Sequence, residues 1–322
     1  MGQQLQVDAP SAKSVAISPN GNLMASGDSD GNLKLWQLNA NDAPENIAGH
    51  DAQIWALAFS PDSNLLASGD RQGRVQVWDI EQHRIVQMLD TGEAAIWSLE
   101  FIDTRELLVA TDTLVSSYEI AEGNASVTRL ESQSSITRLS MSPDKQQLVV
   151  SQADGTVIVE KLSGEPQTRV INVGDDLIWS AALNHSGSML AAASSDETVS
   201  LIDVASGNRV AKLTGHRGGA TNVAFLDDGM TLVVSDRRGS IHWWDIPTAR
   251  RLAAPWRGHR KAVWRLHVHP DGNRFATAGD DGKVWMWDTL SVKQACKIGY
   301  PGFDTGQKKQ YLGDDHQMQA CQ

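Results

Sequence analysis

Short apolar runs alternate with clusters of Gly, Asp, Asn, Ser and Pro along nearly the whole chain. From Val15 the sequence reads VAISPNGNLMASGDSDGNLKLWQL, and from Leu57 it reads LAFSPDSNLLASGDRQGRVQVWDI. The same alternation restarts at Leu99, Leu139, Ala181, Val223 and Leu266. Each run is too short for a stable helix and rich in Val, Leu and Ala, which favours strands. An SPDG-like turn follows the first run of each unit. Asp-Gly pairs such as Asp30-Gly31, Asp154-Gly155 and Asp281-Gly282 follow the second. There a positive φ at Gly closes a tight hairpin. No helical period is visible inside the units.

The residues that end the third run are Trp36, Trp78, Tyr118, Glu160, Ile202, Trp244 and Trp287, at intervals of 42, 40, 42, 42, 42 and 43. A period of about 40–45 residues with four short strands per unit is the signature of propeller blades. The expected fold class is therefore all-β: a seven-bladed β-propeller of four-stranded antiparallel blades. The propeller is placed at residues 1–298, and a short C-terminal tail packed on it at 299–322. Trp285 and Trp287 flank Met286 on one strand, and Trp243 adjoins Trp244; this alternation predicts packing between blades.

Composition narrows the function. The chain has 322 residues, 41% of them hydrophobic, with 28 Lys and Arg against 39 Asp and Glu, a net charge of −11. That content supports a large core. An acidic chain without a basic cluster is a poor partner for nucleic acid or an anionic membrane. The opening residues carry neither a basic nor an apolar leader segment, and no run is apolar enough to span a bilayer, so the expected location is cytoplasmic. Two cysteines make no disulfide framework.

One short stretch, WRLHVHPDG at 264–272, carries the spacing of a metal site. His267 and His269 stand two apart, and two imidazoles on one strand face can ligate zinc. In the repeat, however, His269 occupies the place of Ser18, Ser60 and Ser142, and His267 that of Ala16, Ala58 and Ser140. With no third ligand nearby, the pair reads as a local variant of a repeat position. No phosphate loop, CxxC, HExxH or GxSxG motif is present. The expectation is no metal, no cofactor and no catalytic residues. A propeller that binds a ligand or metal at its channel, with enzymatic activity there, is the alternative.

The residues also carry a resemblance. Gly-His stands at Gly49-His50, Gly215-His216 and Gly258-His259, and Trp-Asp at Trp78-Asp79, Trp244-Asp245 and Trp287-Asp288. With the period, these resemble the WD-repeat family of β-propellers over about residues 3–298. The resemblance implies a hydrogen-bonded tetrad of His, Ser/Thr, Asp and Trp within a blade. Only the last repeat keeps all four, as His259, Thr277, Asp281 and Trp287. The second has His50, Ser68 and Trp78 with Gln72 at the Asp place. The sixth has His216 and Trp244 with Val234 and Arg238. The first has Ser26, Asp30 and Trp36 with Asp8 at the His place. The third to fifth lack His and Trp and are expected to rely on apolar packing. Because the set recurs at a blade position and includes an indole, it reads as structural and not as a catalytic triad. The resemblance further implies closure of the ring by a strand from the other terminus. Gln3–Val7 is the favoured strand, with residues 293–298 as competitor.

Just before the first apolar run of each unit stand Lys13, Trp55, Trp97, Thr137, Trp179, Thr221 and Trp264. The resemblance places them at the channel entrance, on the face that commonly takes partners, with Arg71 and Arg237 beside them. Trp and Arg are enriched at interface hot spots. The candidate partner-binding residues are therefore Trp55, Trp97, Trp179, Trp264, Arg71, Arg237 and Lys13, suited to a negatively charged segment. The competing reading makes these tryptophans wedges between blades. Residues 290–322 resemble the short tail that closes bacterial WD-repeat regions associated with STAND-type signalling proteins, although Lys308 stands where a Trp is common. This implies a non-enzymatic scaffold or sensor in bacterial signalling or defence, with a protein partner such as a signalling NTPase or effector. Cys296 and Cys321 are read as free thiols.

Overall fold

The structure, a computed structural model, describes residues 3–6, 10–40, 42–47, 49–92, 94–120, 126–164, 167–226 and 229–289. The described secondary structure is all β, without helices, in seven antiparallel sheets. The innermost strands, a, are Ala12–Ile17, Ile54–Phe59, Ser98–Phe101, Ile136–Met141, Ile178–Leu183, Ala220–Phe225 and Val263–Val268. Each packs beside the next, and the seventh returns to the first, so the sheets form a closed ring around an axis. Six sheets are four-stranded. The outer edge of blade 6 is split into Arg250–Arg251 and Trp256–Arg257, both paired with Ser240–Asp245.

The fourth strand of blade 7 is Gln3–Gln6, antiparallel to Lys283–Asp288, with Leu5 opposite Val284. The favoured N-terminal strand thus supplies the seam. Val7, the competing segment 293–298, the tail and both cysteines lie outside the described residues. So does Asp8.

Burial explains the sequence pattern. The inner strands are covered on both faces by neighbouring blades, which is why they read as nearly continuous Val, Ala and Leu runs. The third strand of blade 5, Thr198–Asp203, is buried along all but its last residue, whereas its outer strand Arg209–Thr214 leaves Val210 exposed. The core is divided into seven apolar clusters, one at each interblade boundary. Between blades 2 and 3, Ala67, Val75 and Val77 meet Leu99, Phe101 and Leu107. Between blades 6 and 7, Trp243 packs edge-on against Trp256 at 5.0 Å and Phe275 at 5.5 Å, and Trp285 stacks on Trp287 at 5.1 Å.

Two glycines show how tight the ring is. A Cβ on Gly69 would lie 2.4 Å from Ile96 Cγ2 of the next blade. Gly73 closes its hairpin with φ of 84°, and a Cβ there would lie 2.0 Å from the Gly92 carbonyl oxygen. Both steric and conformational demands exclude a side chain at Gly73.

Candidate partner-binding mouth

Six of the seven a strands carry the same irregularity. Their register with the second strand shifts at Lys13, Trp55, Thr137, Trp179, Thr221 and Trp264. In blade 3 the equivalent Trp97 precedes the strand and donates its backbone N–H to Ala110 O at 2.9 Å. A β-bulge leaves one residue out of the ladder and re-aims its side chain. Here it turns the large side chains off the blade and over the channel.

The four tryptophans meet one another there. Trp55 contacts Trp97 edge-on at 5.5 Å and Trp264 at 5.9 Å, and Trp264 contacts Trp179 edge-on at 5.5 Å. None belongs to an interblade core cluster. They are therefore not wedges between blades. Nor do they form an open collar: they are a mutually packed cluster across the mouth. Trp55 is buried, at 9% exposure, and the other three are half-buried. Such aromatic contacts add about 0.5–1.5 kcal/mol each beyond area burial.

Three cations rim the cluster. Lys13 Nζ lies 5.2 Å from the Trp55 ring and 5.8 Å from that of Trp264. Arg71 lies over Trp55 and Trp97, at 5.8 and 6.0 Å, and Arg237 over Trp264 and Trp179, at 5.8 and 6.0 Å. Ring quadrupoles attract cations at these distances. Arg71 and Arg237 are exposed, while Lys13 is held by Asp280 Oδ1 at 2.6 Å. Burial alone would raise the Asp280 pKa; hydrogen bonds from Lys13 and Ser11 outweigh it and hold the carboxyl below its usual range. Trp97 Nε1 donates to Asp112 at 2.5 Å, and Trp55 Nε1 to Gln53 at 3.1 Å. The smaller Thr137 and Thr221 leave room beside the tryptophans. The result is a pocket of about 270 Å³, lined by all four indoles with Asp112, Thr137, Leu177 and Thr221.

A residue missed in the sequence holds this cluster from below. The bulges turn backbone carbonyls toward the axis, and Arg265 donates to Trp55 O at 2.9 Å, Trp97 O at 2.8 Å and Trp264 O at 3.2 Å. One guanidinium thus links three blades. The signal was available: the equivalents of Arg265 are Ser14, Ala56, Ser98, Arg138, Ser180 and Asn222, mostly small or neutral residues.

The blade networks lie away from the mouth. In blade 7, Trp287 Nε1 donates to Thr277 Oγ1 at 2.8 Å, Thr277 pairs with His259 Nε2 at 2.8 Å, and His259 Nδ1 with Asp281 at 2.9 Å. Each donor and acceptor is used once, with the His proton on Nδ1. Blade 2 corrects the expectation that Gln72 removes the carboxylate. His50 Nδ1 instead meets Asp70 Oδ2 at 2.8 Å, and His50 Nε2 meets Ser68 Oγ at 2.7 Å. Asp70 lies on the same strand two residues after Ser68, hence on the same face. Trp78 Nε1, by contrast, has no hydrogen-bond partner among the described residues. In blade 6 Trp244 Nε1 donates straight to His216 Nε2 at 3.1 Å, and Asp236 pairs with His242 at 2.9 Å. Burial, His242 and the Arg251 charge push the His216 pKa down to about 3.

His267 and His269 do not converge. His267 Nδ1 accepts from the Ile17 N–H at 3.3 Å, whereas His269 Nε2 lies 2.9 Å from Gly21 O. No group of three His, Cys, Asp or Glu among the described residues is placed to hold a metal ion.

The comparisons with known proteins agree with this geometry. The family described as WD domain, G-beta repeat matches residues 5–37, 44–79 and 250–288. The Anaphase-promoting complex subunit 4 WD40 domain matches residues 139–228. A ribosome biogenesis protein WDR12 homolog of Chlamydomonas reinhardtii is 33% identical over 89 residues, 24% of this chain and 20% of the relative. A guanine nucleotide-binding protein subunit beta of Zea mays is 30% identical over 111 residues, 33% of this chain and 29% of the relative. Striatin-4 of Homo sapiens is 29% identical over 147 residues, 39% of this chain and 20% of the relative. In each case the match spans well under half of the relative's own length. Seven blades in a closed ring, the matches to two WD40 models and the His–hydroxyl–Trp network of blade 7 fit the WD40-repeat family of β-propellers.

Proposed function

We propose that this protein is a non-enzymatic interaction module that receives a protein partner at the tryptophan-lined mouth. The observation that carries the reading is the pocket beside the four indoles, rimmed by the exposed Arg71 and Arg237. Trp and Arg in a partly desolvated setting are the residues that dominate binding energy at interfaces. The partner's contacting segment is acidic, to meet the two arginines, and carries an apolar side chain for the pocket. The relatives' names support an assembly role in general terms, one being a subunit of a larger complex. The tail sequence favours a bacterial signalling or defence setting in the cytoplasm, with a signalling NTPase or effector as the partner.

The test is affinity capture from the native host with wild-type protein and with a Trp97→Ala, Trp179→Ala double variant. These two half-buried tryptophans are chosen over the more buried Trp55, so that folding survives. Loss of one or more wild-type partners from the variant, with unchanged circular dichroism, supports the mouth as the contact surface. An identical set of captured proteins sinks it.

A further inference from the structure

Below the tryptophan cluster the channel continues as a pit of about 350 Å³. Its wall carries Glu100, Arg138, Lys145, Arg265 and His267. It reaches Met141, Pro143 and Lys145, at and beyond the end of strand a in blade 4, so it opens on the face opposite the tryptophans.

The charges in this pit do not balance. Arg138, Arg265 and Lys145 face a single carboxylate, Glu100, in a protein whose net charge is −11. Arg265 spends its amino groups on three backbone carbonyls. Arg138 donates from Nη1 to Asn222 Oδ1 and, at 3.3 Å, to Ser180 Oγ. Among the described residues, neither guanidinium forms an ion pair with a carboxylate. Burial and the neighbouring Arg138 charge lower the Arg265 pKa, and burial lowers that of Arg138 to about 10. Two half-buried arginines side by side, with one unpaired carboxylate between three cations, are unfavourable, and an anion beside them relieves both the desolvation and the repulsion. His267 adds a donor. Its Nδ1 accepts from Ile17 N–H, which leaves the proton on Nε2, and its side chain is exposed to the channel. Ser140 contributes none, because its hydroxyl already donates to Ala181 O at 2.7 Å.

We propose that this pit binds a free small oxyanion of the phosphate or diphosphate type. Arg138 and Lys145 supply contacts and charge, His267 Nε2 donates a hydrogen bond, and Arg265 provides a fixed positive floor. Charge-assisted hydrogen bonds to phosphate oxygens are the strongest available to such side chains. Arg265 lines both the pit and the tryptophan pocket, and the pit matches the lower range of small-molecule sites in volume. It lies on the other face from the proposed partner mouth, so the two stand or fall separately.

The experiment is isothermal titration and thermal unfolding of the full chain with inorganic phosphate and pyrophosphate, against sodium chloride of equal ionic strength. Saturable one-to-one binding of at least one anion and a raised Tm are expected. Lys145→Ala, an exposed change that leaves the fold intact, and Arg138→Gln each weaken binding by about tenfold or more. Glu100→Gln strengthens it. Val210→Ser, an exposed change on the outer strand of blade 5, leaves it unchanged. Absence of saturable binding by the wild type beyond the chloride control overturns the proposal. So does binding that persists undiminished in both Lys145→Ala and Arg138→Gln, which would put the anion elsewhere.

Discussion

His50 and Asp70 form a fully buried pair, Nδ1 to Oδ2 at 2.8 Å, in a blade whose turn position holds Gln72. Asp70 also accepts the backbone N–H groups of Gln72 and Arg74, at 2.8 and 3.1 Å. One carboxylate therefore ties the hairpin to the histidine. Removing it leaves His50 buried without its acceptor and two amides unpaired. Asp70→Ala is expected to destabilise the protein by about 2–4 kcal/mol. Gln72→Ala should stay within about 0.5 kcal/mol. Denaturant midpoints of the two variants check both values; equal effects would mean that the turn position, not Asp70, carries the network.

Acid should weaken the ring through its buried histidines. Burial lowers the pKa of His50 and, more strongly, of His216, from the unfolded value near 6.5. Between the folded and unfolded values the unfolded chain binds more protons, so stability is complete above about pH 6.5 and falls as pH drops toward 3. Glu100 acts in the opposite sense, because burial raises its pKa. Urea midpoints measured from pH 7.5 to pH 4.5 should decline. His216→Gln should flatten the slope, and Glu100→Gln should steepen it. A flat profile in the wild type contradicts the assignment.

Contact between blades 2 and 3 is close enough to resist a single methyl group. A Cβ on Gly69 would overlap Ile96 Cγ2 at 2.4 Å, in a region buried from solvent. Gly69→Ala should cost about 1–3 kcal/mol through overpacking. The same change at Gly92, where nothing lies within 4 Å but φ is 89°, tests backbone strain alone. Thermal unfolding of the pair separates the two causes.

Removing residues 1–6 should expose the backbone of Lys283–Asp288, the strand that Gln3–Gln6 covers. An uncovered edge invites pairing with another chain. The truncated protein is expected to have a lower Tm and to self-associate in size-exclusion chromatography with light scattering. A monomer of unchanged Tm would show that the seam contributes little.

Much of this architecture was legible because repetition makes one unit explain another. The hairpin glycines, the inner-strand apolar runs and the place of the tryptophans all follow from aligning seven copies. What escaped depends on the closed ring. Trp55 and Trp179 are far apart in sequence, and only closure brings both into one packed cluster through Trp264. Asp70 was overlooked because alignment by turn position looks for the carboxylate at residue 72, whereas the same strand face offers it two residues earlier. Arg138 and Arg265 stand in different units, each a departure from a small-residue position. Their shared pit exists only once strands from opposite sides of the axis face each other.

The seam has a consequence for how the molecule comes into being. Gln3–Gln6 finds its partner only after Lys283–Asp288 exists, so nearly the whole described chain separates the two halves of blade 7. During synthesis this early segment must wait while six blades stack beside one another, and contacts of such sequence separation form slowly. The last step fastens the circle: Gln3–Gln6 hooks onto Lys283–Asp288, and so joins the first of the described strands to the last.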